Sequence, residues 1–390
     1  MNLFHKSLLL GSLGPLLSCS GGLATQADPS VSEAALKQKP LPAASGRDIF
    51  RFSTFGDEQF WTGTLQMHTV ISTGVSPATA LGVGLKVDAD ALPAGILATA
   101  DLNDPATTVA LIGLNAVVGI QGTVVDGKLT EVGVTCALCH STVDNSVAPG
   151  IGHRLDGWPN RDLNAGRIIS LSPALTAAQR TVYQSWGPGR FDPRYNLDGI
   201  NSPVLIPPAY GLAGVPAETY TGDGPVSYWN AYVATLEMGG KGTFIDPRIG
   251  VSVTSNPDLV TPRLPALLNY QLSIAKPTPP AGTFNATAAA RGKVVFDGAG
   301  RCASCHQGAR YTEAALHAAA DTGMAPLYAT RSATRLYRTT PLRALWQHPG
   351  YFHDGSAATL DDVVNHYDAT LALALSATQK ADLVQFLLSI

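Results

Sequence analysis

Gly300-Arg301-Cys302-Ala303-Ser304-Cys305-His306 and Thr135-Cys136-Ala137-Leu138-Cys139-His140 repeat one pattern. Two thiols stand three residues apart, and an imidazole follows directly after the second. That spacing attaches a c-type haem: each cysteine forms a thioether to a porphyrin vinyl, and the adjoining histidine binds the iron from one side. Two motifs predict two covalent haems, one on Cys136, Cys139 and His140 and the other on Cys302, Cys305 and His306. A zinc site made from two cysteine pairs is the alternative, but zinc requires no histidine immediately after each pair.

The rest of the composition agrees with an exported, cofactor-filled protein. Of five cysteines, the motifs use four and leave Cys19 alone, so no structural disulfide is available. The apolar run 8–17 is too short to span a bilayer but fits the core of an export signal. Leu16-Leu17-Ser18-Cys19 resembles a lipoprotein processing site, with residues 1–18 removed, the Cys19 thiol lipidated and 19–42 acting as a tether. The expected location is the periplasm or the outer membrane, held there only by a lipid anchor. Charged residues make up only 14% of the chain and the formal net charge is −3, which argues against nucleic acid or a polybasic membrane surface as partner. With 39 glycines and 27 prolines among 390 residues, small helices joined by long loops around a buried cofactor are expected.

Internal repetition sets the domain boundaries. Ala43-Ala44-Ser45-Gly46-Arg47-Asp48-Ile49-Phe50 matches Ala289-Ala290-Arg291-Gly292-Lys293-Val294-Val295-Phe296. The second copy runs into its haem motif within a few residues, whereas the first is separated from its motif by an insertion at about 51–130. That insertion is expected to be built of loops and β-structure and to end in a hairpin, with strands over 117–125 and 128–134 around Asp126-Gly127. Beyond each motif, Pro208 to Gly224 parallels Pro341 to Gly355, and each then enters a helix. Trp229, Val233 and Glu237 share one face of the first helix; Leu360, Val363, Val364 and Tyr367 share one face of the second. The Pro-rich stretch 276–284 reads as a stiff linker between units 43–275 and 285–390. Ser376 with Gln379 forms a capping box for a last helix that is expected to pack on the helix over 288–296.

In its order of landmarks, and above all in Gly350-Tyr351-Phe352-His353-Asp354-Gly355-Ser356 followed by Thr359-Leu360, the chain resembles the bacterial diheme cytochrome c peroxidases and the related methylamine-utilisation diheme enzymes. More distantly it resembles the diheme rubber oxygenases, which also carry large insertions ahead of the first haem. The resemblance implies a mainly α fold of two cytochrome c-like domains, each around one covalent haem. It also implies reduction of hydrogen peroxide at the N-terminal haem, with electrons supplied through the C-terminal haem by a small periplasmic cytochrome c or cupredoxin. A haem-dependent oxygenase acting on an apolar substrate, and a non-enzymatic electron-transfer cytochrome, are the alternatives.

Further site residues follow from the resemblance. His153, in Ile151-Gly152-His153, matches the histidine that caps the N-terminal haem on its distal side. Glu237 matches the glutamate of the peroxide pocket, where a carboxylate on an apolar stripe can carry a raised pKa suited to proton transfer. Tyr367 stands near the distal ligand position of the C-terminal haem, with His366 and Met324 as competitors. Relatives hold calcium between their domains, and this sequence is silent on it. One departure stands out: Gly222, rather than the family's interhaem tryptophan, precedes Asp223, leaving Tyr220 and Trp229 as the nearest aromatic groups.

Overall fold

The computed structural model describes residues 45–390. The expected signal, Cys19 and the tether lie outside the described residues. Ser45 caps helix α1 (Gly46–Phe52) by accepting a hydrogen bond from the Asp48 amide. The inserted segment then holds helices α2 (Met67–Gly74), α3 (Pro77–Gly82) and α4 (Pro105–Gly113), followed by strands β1 (Ile120–Val125) and β2 (Lys128–Val134). It is therefore richer in helix than its loops and turns led us to expect. Proline in the first turn of α3 and of α4, with side-chain caps from Ser76 and Asp104, accounts for those starts.

The expected hairpin forms, with Asp126 (φ 50°) and Gly127 (φ 74°) both left-handed as its tight turn demands. Its first strand begins at Ile120 rather than Val117, because the Val118 amide is already committed to the Lys86 carbonyl at 2.8 Å. Among the described residues the sheets are six separate two-stranded pairs, so the framework is helical with small β-ribbons.

Downstream lie α5 (Val226–Tyr232), α6 (Leu264–Ser273), α7 (Ala286–Asp297), α8 (Leu360–Thr370) and α9 (Ala377–Leu388). The repeated glycines, Gly46 at the start of α1 and Gly292 within α7, each sit at a helix crossing. A Cβ on Gly46 would stand 2.0 Å from the Ala266 carbonyl oxygen of α6, and one on Gly292 would stand 2.0 Å from the Asp382 carbonyl oxygen of α9. The α7–α9 packing is the one expected from the capping box, and Arg291 reinforces it with two hydrogen bonds to the Asp382 carboxylate, at 2.7 and 2.5 Å. Gly292→Ala should force these backbones apart and destabilise the fold by ~1–3 kcal/mol, a shift readable as a lower urea midpoint at unchanged slope.

The two largest apolar cores divide the chain. One is built on residues 49–267, including Phe50, Leu163 and Leu267; the other is built on residues 295–390, including Phe296, Leu383 and Leu387. Polar contacts join the halves: Arg331 pairs with Asp192 at 3.0 Å and Asp198 at 2.7 Å, and the Leu205 amide donates to the His353 carbonyl at 2.8 Å. No described helix is long and apolar enough to cross a membrane.

Candidate functional site

Each Cys-x-x-Cys-His motif opens onto a large cavity. Cys136, Cys139 and His140 line one, of about 270 Å³, and Cys302, Cys305 and His306 line the other, of about 400 Å³. All four thiols are unpaired. Depth in the protein pushes the Cys136 and Cys139 thiols up to about 12 and Cys302 to about 11. Burial likewise lowers the His140 imidazole to about 4 and that of His306 in the same direction, which favours the neutral ring in each.

The two proximal rings are held alike. His140 Nδ1 lies 3.1 Å from the Pro207 carbonyl and His306 Nδ1 lies 2.9 Å from the Tyr311 carbonyl. A carbonyl can only accept, so Nδ1 carries the proton and Nε2 is left as a lone-pair donor, the tautomer a metal-binding histidine needs. With two free thiols, an oriented imidazole and an apolar cavity at each motif, the residues present fit a covalently attached haem in both places.

The His140 cavity receives all three residues of the first stripe, Trp229, Val233 and Glu237. Helix α5 gives way to a π-helical turn, Val233–Glu237, and such turns gather at functional sites because the extra residue re-aims side chains. Glu237 is buried, and neither of its carboxylate oxygens has a hydrogen-bond partner. The Tyr232 hydroxyl, which donates to the Pro193 carbonyl at 2.5 Å, and the Asn196 side-chain amide lie close to the carboxyl and offset part of the cost of its burial. Burial foremost, and then the nearby Asp192 charge, hold the Glu237 carboxyl well above the usual range.

His153 is not brought to this cavity. Its side chain is 60% exposed, Nδ1 pairs with Asp90 at 2.8 Å, and that bond raises its pKa. Backbone pairing explains the placement. Ile151-Gly152 runs beside Val87-Asp88 of the insertion, Arg154–Asp156 pairs with Ser141–Val143, and the His153 amide donates to Asp144 at 2.8 Å, leaving the imidazole outward.

The His306 cavity receives the whole second stripe, Leu360, Val363, Val364 and Tyr367. Burial pushes the Tyr367 phenol up to about 12. Of its competitors, Met324 also lines the cavity, whereas His366 turns away to donate from Nε2 to the Thr322 carbonyl at 2.8 Å. Among the described residues the side-chain group that could hold a metal ion is Cys305, Glu313 and His317. A thiol and an imidazole do not make the all-oxygen shell that calcium takes.

Several lining residues were not assigned a ligand or proton-transfer role by the sequence. Tyr220 lines both cavities, as do Pro207, Pro208 and Thr219. Its hydroxyl donates to the Leu205 carbonyl at 3.0 Å, while its ring lies 6.4 Å from Tyr328 on the His140 side and 6.3 Å from His353 on the other. His353 itself is buried with Nδ1 unpartnered and stacks on Tyr328 at 5.6 Å. Arg161, Arg338 and Arg343 line the His306 cavity. The only signal for these residues was their position inside repeated or Gly- and Pro-rich loops.

No family model matches the chain, and no curated protein matches it. Among solved structures, hydrazine synthase of Kuenenia stuttgartiensis, determined under xenon pressure, is similar over 48% of this chain and 73% of its own, at 19% identity and a TM-score of 0.34. A likeness at that level carries no argument about this chain's fold or chemistry.

Proposed function

We propose that this chain is an exported diheme c-type cytochrome, with two cytochrome c-like units, that reduces hydrogen peroxide in the His140 cavity using electrons admitted on the His306 side. The observation that carries the reading is Glu237: a buried carboxyl that lines the same cavity as His140, whose imidazole is oriented by the Pro207 carbonyl. When bound, each haem supplies the iron that exchanges electrons. Glu237 does the proton work, taking a proton from one peroxide oxygen and returning it to the other, so that the departing oxygen leaves as water. Two electrons and two further protons complete the conversion of one peroxide to two waters. The apolar wall excludes bulk water from the reacting oxygens.

Tyr220, which lines both cavities, is the proposed relay between them. The electron donor is proposed to be a small periplasmic cytochrome or cupredoxin. Because His153 faces solvent, His153→Ala should leave the visible spectrum of the His140 haem unchanged in both oxidation states. A change in spin state on substitution would instead place His153 at the iron.

A second reading has its own support. The insertion supplies much of the His140 cavity wall, through Trp61, Met67, Ile71, Val75 and Ile112, as a pocket for an apolar substrate of a haem-dependent oxygenase would require. The two readings separate on rapid mixing of the half-reduced protein with stoichiometric hydrogen peroxide. Prompt oxidation of the ferrous haem, with one peroxide consumed per two electron equivalents, supports the peroxidase. Silence towards peroxide together with uptake of dioxygen in the presence of an apolar substrate supports the oxygenase. Silence towards both leaves an electron carrier.

A further inference from the structure

The wall of the His306 cavity holds more buried positive charge than the protein neutralises. Arg338 and Arg343 are both buried, and both turn to the same carboxylate, Glu218, at 3.2 and 3.8 Å. Their other contacts are backbone carbonyls: Ala217 for Arg338, and Gly211 at 2.8 Å and Pro208 at 3.5 Å for Arg343. The third guanidinium, Arg161, has no ion pair at all, and its Nε and Nη1 atoms are buried without a hydrogen-bond partner. Arg338 Nε is likewise buried and unpartnered. Three guanidiniums against one carboxylate leave two positive charges. Arg301 and Asp321, at the edge of the same cavity, are exposed and opposite in sign, so they do not alter that balance.

An uncompensated buried charge costs several kcal/mol, and a guanidinium that cannot lose its proton must be met by an anion. The cavity in which these donors sit is one of the two whose residues fit a haem, and a haem brings two carboxylates. The other cavity differs in kind. Its lining includes Glu218 and Glu237 and has neither lysine nor arginine.

We propose that Arg161, Arg338 and Arg343 form an anion-binding wall for the two propionates of the haem on His306, with Arg161 taking one of them alone. Arg161 belongs to the first half of the chain, and Arg338 and Arg343, from the second half, bond back to carbonyls of the first. The haem of the second unit is thereby clamped by the seam between the halves, and its iron is held at a higher potential than unpaired propionates would allow, because the guanidiniums offset the carboxylate charge that favours the ferric state. This rests on covalent haem at His306 and not on peroxide chemistry.

The test is a spectroelectrochemical titration of the intact holoprotein, wild type against Arg161→Gln, with covalent haem counted per chain in each. The expected result is two haems per chain in both proteins, a downward shift of the His306 haem midpoint in the variant, and a smaller change at the His140 haem. Two attached haems with an unmoved His306 midpoint would overturn the proposal, whereas absence of covalent haem in the wild type would overturn the haem reading itself. Should Arg161→Gln fail to load, Arg161→Lys keeps the charge and the stem. It should hold the midpoint near wild type while shifting the propionate bending bands in resonance Raman, and unshifted bands would count against propionate contact. A wild-type midpoint that moves with phosphate concentration at constant ionic strength would assign the wall to a free anion and overturn the propionate assignment.

Discussion

Glu237→Gln is expected to slow peroxide turnover by about 10²–10⁴-fold while leaving both haems attached, the loss typical of removing a positioned proton-transfer group. Glutamine matches the carboxyl in shape and should keep the π-helical turn Val233–Glu237 and its place in the cavity wall, but it cannot accept and return a proton. Single-turnover mixing with peroxide is the appropriate measurement, since it isolates this step from donor binding. The pH profile gives a second readout. Glu237 must be ionised to accept the first proton, and burial has raised its pKa, so the wild-type rate should climb as pH rises through that raised value. The variant should lose the climb. Stability runs the other way. A carboxyl whose pKa is raised on folding contributes fully below its unfolded value, near 4.3, and that contribution is lost as pH rises towards the folded value. Wild type should therefore fall relative to Glu237→Gln across that window in denaturant midpoints. A variant with wild-type turnover would remove Glu237 from the chemistry and, with it, the main support for the peroxidase.

Replacing Cys302 and Cys305 together by serine should remove one of the two covalent haems outright, halving the haem per chain by pyridine haemochrome and lowering the intact mass by one haem. Serine cannot form the thioethers, and the cavity that the haem would fill is then left open. Loss of stability should therefore accompany loss of the haem, because the second core, built on Phe296, Leu383 and Leu387, packs beside that space. The matching replacement of Cys136 and Cys139 should spare the His306 haem and abolish peroxide reduction. Retention of two covalent haems by either double variant would show that these cysteines do not form the attachment.

Local pattern was enough where the signal lies within a few residues. The shared setting of the two Cys-x-x-Cys-His motifs, the Asp126-Gly127 hairpin, the Ser376–Gln379 cap and the two inward stripes were all legible, because spacing along the chain fixes which side chains share a turn or a face. Trp229, Val233 and Glu237 reach one cavity, and Leu360, Val364 and Tyr367 the other, as the 3.6-residue period implies. The repeated glycines marked helix crossings, though which helix each one meets could not be read from the repeat. The helices of the insertion were harder to see: α3 and α4 are short, and their apolar residues are too few to display a period.

What only the tertiary structure decided are the contacts between residues far apart in the chain. The resemblance made His153 a ligand, but pairing of 151–152 with 87–88 leaves it facing solvent, since a strand neighbour far away in the chain sets which face an imidazole takes. His366 and Tyr367 are adjacent in sequence and point to different surroundings, because a helix rotates consecutive side chains by about 100°. Tyr220 was one aromatic candidate among several, and only the fold brings it to both cavities; the excess of guanidinium over carboxylate at Arg161, Arg338, Arg343 and Glu218 has no signature in the chain at all. Burial and the sum of nearby charges are properties of the assembled fold, and they turn ordinary arginines and a glutamate into a site.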